Sequence, residues 1–93
     1  MLSKENTNLI QRLARQCLKR DISLVTAESC TGGLLSSLLT QEAGSSKWFD
    51  RGFVTYSNNS KIDSLGVQGK TLEKFGAVSQ EVANEMSIGA LKN

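Results

Sequence analysis

The chain has 93 residues, enough for one small domain, with eleven basic and nine acidic side chains and a net charge of +2. That balance excludes a dedicated nucleic-acid surface, which needs a basic stripe; the nearest group, Arg12, Arg15, Lys19 and Arg20, reads as the solvated face of a helix. There is no histidine, which removes Ser-His-Asp and Cys-His nucleophile systems and histidine bases, and two cysteines alone do not make a structural zinc site.

Taken in chain order, residues 6–20 read as an amphipathic helix, because Leu9, Ile10, Leu13, Ala14, Cys17 and Leu18 recur at three- and four-residue spacing. Cys17 lies on that stripe and reads as a buried small hydrophobe. Asp21 breaks the pattern. Residues 22–27 (ISLVTA) read as a short buried strand. A polar turn, residues 28–33, leads into a helix carrying Leu34, Leu35, Leu38 and Leu39 and running to about Glu42, with Gly44 as terminator. Residues 48–57 form the second strand candidate, in which Gly52 marks a bulge or a close backbone approach. Four of the five aromatic residues, Trp48, Phe49, Phe53 and Tyr56, fall in this stretch and are expected to anchor the core.

Ser57-Asn58-Asn59 starts a short helix, residues 59–65, that ends at Gly66. Thr71 is expected to cap another, ended by Gly76. Ser79 is expected to cap a last helix through Leu91, with Val82, Ala83, Met86 and Ala90 facing inward. Strands alternating with helices indicate an α/β layered fold, α/β/α in arrangement, in a single domain. Two strands make a thin sheet with open edges, so pairing with a second copy, and hence a homo-oligomer, is expected. The polar N-terminus has no signal-peptide core and no apolar run approaches the roughly 18 residues of a membrane helix. A cytoplasmic protein with reduced thiols and no membrane partner is the expectation.

The stretch that can carry chemistry is Ala27-Glu28-Ser29-Cys30-Thr31-Gly32-Gly33. A strand ending in a polar, glycine-bearing turn before a helix exposes unpaired, partly positive N–H groups. Such a turn can hold an anion or a transient oxyanion beside a side chain such as Ser29. The plainer reading is an N-cap, in which Ser29 or Thr31 caps the following helix and the glycines only pack. A nucleophilic Ser29 needs a base, and Lys61 is the candidate. If the two strands are sheet neighbours, their C-terminal turns open onto one edge, which gathers Ser29, Tyr56, Asn58 and Lys61. A lysine acts as a base only where burial disfavours its charged form, and Trp48, Phe53 and Tyr56 are the residues expected to bury it. The plainer readings are a solvated helix lysine and a core tyrosine. Cys30 is the alternative nucleophile, since helix starts favour a thiolate.

These motifs resemble the CinA C-terminal domain, the nicotinamide-nucleotide amidase family. The similarity runs through Ala43-Gly44-Ser45-Ser46, Trp48-Phe49, Arg51-Gly52-Phe53-Val54-Thr55-Tyr56-Ser57-Asn58, Lys61, Gly66-Val67 and Gly76-Ala77-Val78-Ser79. The resemblance implies a metal- and cofactor-free serine amidohydrolase that converts nicotinamide mononucleotide and water to nicotinic acid mononucleotide and ammonia, a step of pyridine-nucleotide salvage. It implies a Ser/Lys dyad of Ser29 and Lys61, with Cys30, Thr31, Gly32, Gly33, Tyr56 and Asn58 at the substrate. Thr31-Gly32-Gly33 N–H groups would meet either the oxyanion or the phosphate. Family domains run to about one and a half times this length or more. Their Ser-Gly-Ile-Ala-Gly-Pro-type and Lys-Pro-Val-Gly-Thr-type segments are not found in this proline-free sequence. The expectation is therefore the first half of the family domain, with part of the substrate pocket missing and weak or no turnover. The alternatives are a non-catalytic nucleotide-binding or self-assembling module, or an inactive gene remnant.

Overall fold

A computed structural model describes residues 3–93. Helix α1 spans Lys4–Arg20; its first turn is capped by Ser3, whose Oγ accepts from Asn6 N at 3.0 Å. It ends at Asp21, which takes the left-handed conformation that aspartate tolerates (φ 54°). Strand β1 (Leu24–Glu28), helix α2 (Leu34–Thr40), a 3-10 turn (Ser45–Lys47), strand β2 (Phe49–Val54) and helices α3 (Asn58–Leu65), α4 (Gly69–Phe75) and α5 (Gln80–Lys92) follow. No helix among the described residues is long and apolar enough to cross a membrane.

The two strands pair in parallel, which requires a crossover, and α2 supplies it. Leu24 sits opposite Phe49 and Val25 opposite Arg51, so Asp50 is an extra residue on β2. This bulge reverses the side-chain alternation of β2. Phe49 and Leu24 therefore pack with Trp48, Leu39, Ala14 and Cys17 on one face of the sheet. Phe53, Val25 and Ala27 pack on the other face with Leu65, Val67, Leu72, Val82, Met86 and Ala90. The result is a layered α/β/α arrangement with a separate apolar cluster on each side. The aromatic run does not form one anchor: it divides between the two faces, and Tyr56 is 74% exposed. Gly52 is a close approach rather than the bulge, since a Cβ there would meet Ser36 Oγ at 2.5 Å and Thr26 Oγ1 at 2.6 Å.

Ser57 caps α3 and Ser79 caps α5, accepting from Ser60 N at 3.0 Å and Val82 N at 3.2 Å. Thr71 does not cap α4. It lies inside the helix and donates to Glu85 Oε2 at 2.7 Å, while Glu85 Oε1 accepts from Gln68 N at 2.8 Å. A carboxylate from α5 thus satisfies the start of α4, and the Gln68 N–H and Thr71 hydroxyl hold that carboxyl below its usual range. Where α5 crosses α3, Gly89 is buried, and a Cβ on it would stand 1.9 Å from Leu65 O.

The turn after β1 is shaped by Glu28, which is 3% exposed. Its Oε1 accepts from Thr31 Oγ1 (2.7 Å), Gly33 N (3.2 Å) and Leu35 N (2.8 Å); its Oε2 accepts from Ser36 N (2.9 Å) and Ser36 Oγ (2.7 Å). Ser36 Oγ, having donated to Glu28, accepts from Thr26 Oγ1 at 2.7 Å. Burial alone would raise the carboxyl's pKa. The Ser36 and Thr31 hydroxyls and the Ser36 and Leu35 amides outweigh it and lower the pKa from 4.5 to about 2.

Two outcomes are expected. Gly89→Ala should destabilise the fold by about 1–3 kcal/mol in denaturant titration, because the clash with Leu65 outweighs alanine's gain of about 1 kcal/mol in helix propensity. A stabilised variant would show that α5 moves away freely. For Glu28 the folded-state pKa lies below the unfolded one. Its contribution is complete above about pH 4.5 and is lost as pH falls through about 2. That shift corresponds to about 3 kcal/mol. Glu28→Gln should melt well below the parent at pH 7, and the gap should narrow between pH 5 and pH 2; a constant gap would mean the ionised form contributes nothing.

Candidate active site

Ser29 follows Glu28 at the end of β1. By alternation it shares the face of Ala27, the face covered by α3 and α5. It is half-buried, whereas Cys30, Thr31 and Gly32 are exposed. Neither Ser29 nor Thr31 caps α2. The N-cap is Gly33, in the left-handed region (φ 106°), with no side-chain cap of its own. The anion at the start of α2 is the protein's own Glu28 carboxylate.

This bears directly on the anion-binding turn expected from the sequence. Gly33 N is bonded to Glu28, Gly32 N donates to Ser29 O at 3.0 Å, and Leu34 N donates to Thr31 O at 3.0 Å. Among the described residues, the turn's N–H groups without a partner are those of Ser29, Cys30 and Thr31, the last two directly after the Ser29 side chain. The signal that could have found this arrangement is a glutamate at a strand end with Thr31 and Ser36 at short spacing after it, the spacing of carboxylate-accepting hydroxyls.

Lys61 sits on α3 and is 1% exposed. Its Nζ donates to the main-chain oxygen of Tyr56 at 2.8 Å. Among the described residues it has no carboxylate partner; the salt bridge present is Asp50–Arg51, at the surface. This is not a solvated lysine. Nor do Trp48 and Tyr56 bury it as expected: Trp48 belongs to the cluster on the opposite face, and the Tyr56 ring faces solvent. Asn58, the first residue of α3, is exposed.

A cavity of about 630 Å³ opens between the β1 end, the segment before α5 and α5 itself. Ser29, Cys30 and Thr31 line it, with Val78, Met86 and Leu91 among the apolar wall residues. Tyr56, Asn58, Lys61, Gly32 and Gly33 are not among its lining residues. The α5 side of this cavity was not read as part of a site from sequence, because its residues are small or apolar and carry no chemical signature. Among the described residues no group of three His, Cys, Asp or Glu side chains is placed to hold a metal.

The profile of the CinA C-terminal domain matches residues 6–93. Nicotinamide-nucleotide amidohydrolase PncC from Escherichia coli K12 is 48% identical over 92 residues, covering 99% of this chain and 56% of that protein. A putative competence-damage inducible protein from Acetivibrio thermocellus is also 48% identical over 92 residues, which are 22% of its length. In three dimensions the chain superposes on the crystal structure of the competence/damage inducible protein CihA from Agrobacterium tumefaciens with a TM-score of 0.94 at 46% identity, covering 99% of this chain and 56% of that one. The chain thus spans about half the length of the PncC relative and of the CihA structure. With the α/β layers, the strand-end serine and the sequence match in agreement, the chain belongs to the CinA C-terminal domain family.

Proposed function

We propose that the chain carries the reactive centre of a nicotinamide-nucleotide amidohydrolase, with Ser29 as nucleophile and Lys61 as base. Ser29 Oγ attacks the carboxamide carbon of nicotinamide mononucleotide while the uncharged amine of Lys61 takes the hydroxyl proton. The negative charge developing on the carboxamide oxygen is met by the N–H groups of Cys30 and Thr31. The C–N bond breaks, Lys61 returns the proton to the leaving ammonia, and water then cleaves the Ser29 ester to release nicotinic acid mononucleotide. Tyr56 and Asn58 meet the nucleotide portion at the rim.

The observation that carries this reading is the environment of Lys61. A buried lysine without a carboxylate partner, on a helix whose Leu65 packs against the sheet face that Ser29 shares, is a costly arrangement for a structural residue. It suits a base in a chain with no histidine. The name of the Escherichia coli relative supports the substrate class.

Ammonia release from nicotinamide mononucleotide is the test. Ser29→Ala and Lys61→Met should each lower the rate at least ~100-fold, the scale of a lost nucleophile or general base, with melting temperature retained in Ser29→Ala. Turnover unchanged by Ser29→Ala would remove the nucleophile. Nucleotide binding by calorimetry, without ammonia release or any response to either variant, would instead support a non-catalytic binding module.

A further inference from the structure

Thr55 is 2% exposed, and its Oγ1 is buried with no hydrogen-bond partner. A buried hydroxyl without a partner is unfavourable, and a position that keeps one calls for a physical reason. Its neighbours supply that reason. Thr55 N donates to Glu28 O at 2.9 Å, so the parallel ladder continues one step past Val54 and sets Thr55 beside Ser29. Side chains alternate along a strand, which puts Thr55 on the face of Phe53 and Ser29 on the face of Ala27. Phe53 and Ala27 pack into the same cluster, so this is one face. Side chains at such adjacent positions lie about 5 Å apart. The buried Lys61 Nζ is bonded to the oxygen of Tyr56, the residue next to Thr55 in the chain. Even an uncharged amine keeps two N–H donors, so its bond to the Tyr56 oxygen leaves one for a second acceptor.

We infer that Thr55 is a positioning residue whose hydroxyl links Lys61 to Ser29, accepting from Lys61 Nζ and turning its own hydrogen toward Ser29 Oγ. This rests on the Ser29/Lys61 reading and deepens it. The hydroxyl does not touch the substrate and carries no proton in the reaction. It keeps the amine on the Ser29 side of Tyr56 O and orders the serine rotamer. The present arrangement, with Oγ1 unpartnered, is the state before Lys61 leans toward Ser29.

The test reads Ser29 itself. The full chain is treated with phenylmethylsulfonyl fluoride, a serine-directed probe, and sulfonylation at Ser29 is timed by mass spectrometry. Thr55→Val keeps the shape and removes the hydroxyl; Thr55→Ser keeps the hydroxyl; Lys61→Met reports on the dyad. Labelling should be about tenfold slower in Thr55→Val and within twofold of the parent in Thr55→Ser. Thr55→Val should melt at or above the parent temperature, because it loses a hydroxyl that has no partner. A purely structural threonine gives the opposite pattern, with a lower melting temperature and a parental labelling rate. Either parental labelling in Thr55→Val or equal slowing in Thr55→Ser overturns the inference, while slow labelling of Lys61→Met keeps the dyad. Labelling of Lys61→Met at the parental rate, or no labelling of Ser29 in the parent, removes the dyad and the role of Thr55 together.

Discussion

The Glu28 carboxylate is the point on which the site depends. Five hydrogen bonds converge on its two oxygens, two of them from amides in the first turn of α2. A helix start normally needs solvent, a capping side chain or a ligand for those amides. Here a residue of the preceding strand enters from below and satisfies them. The strand end and the helix start are thereby fastened to each other, and the five residues between them have little freedom. Ser29 is half-buried and held against the sheet because its predecessor is pinned. The same bonds lower the carboxyl's pKa despite burial, so the group stays ionised well below the usual carboxylate range.

A second consequence concerns what the turn offers a ligand. A helix start already occupied by an internal anion has little left for an external one. What stays unpaired at this turn, among the described residues, is loop amides, those of Cys30 and Thr31 included, rather than the helix start. Those two amides adjoin Ser29 in the chain. The arrangement separates two parts: one carboxylate builds the turn, and the loop amides beside it stay unpaired.

Much of the architecture was legible because it depends on periodicity. The stripe from Leu9 to Leu18, the β-branched strand before Glu28 and the serine starts of α3 and α5 are patterns that few other structures satisfy. The turn at Ser29 could be singled out for the same reason. Sidedness was not legible. The extra residue at Asp50 reverses alternation in β2, and nothing in a run of aromatic residues says where such an insertion falls. What encloses Lys61 was hidden as well: Trp48 and Tyr56 were expected around it, but Trp48 packs on the opposite face and the Tyr56 ring is exposed. The role of Glu28 was missed because most of its partners are main-chain amides, which carry no residue-type signal. Thr71 was misread because its hydroxyl has two plausible uses, and the choice depends on Glu85 on a helix that is distant in sequence.

The amine of Lys61 is moored to a main-chain carbonyl, not to a side chain. Position 56 therefore serves two masters independently. Its outward ring is free to drift over evolutionary time, altering what this part of the surface presents to solvent, while the carbonyl behind it stays where the backbone puts it. A lineage can exchange that side chain without disturbing the mooring. Alanine scanning, which edits only side chains, is blind to the contact that matters there.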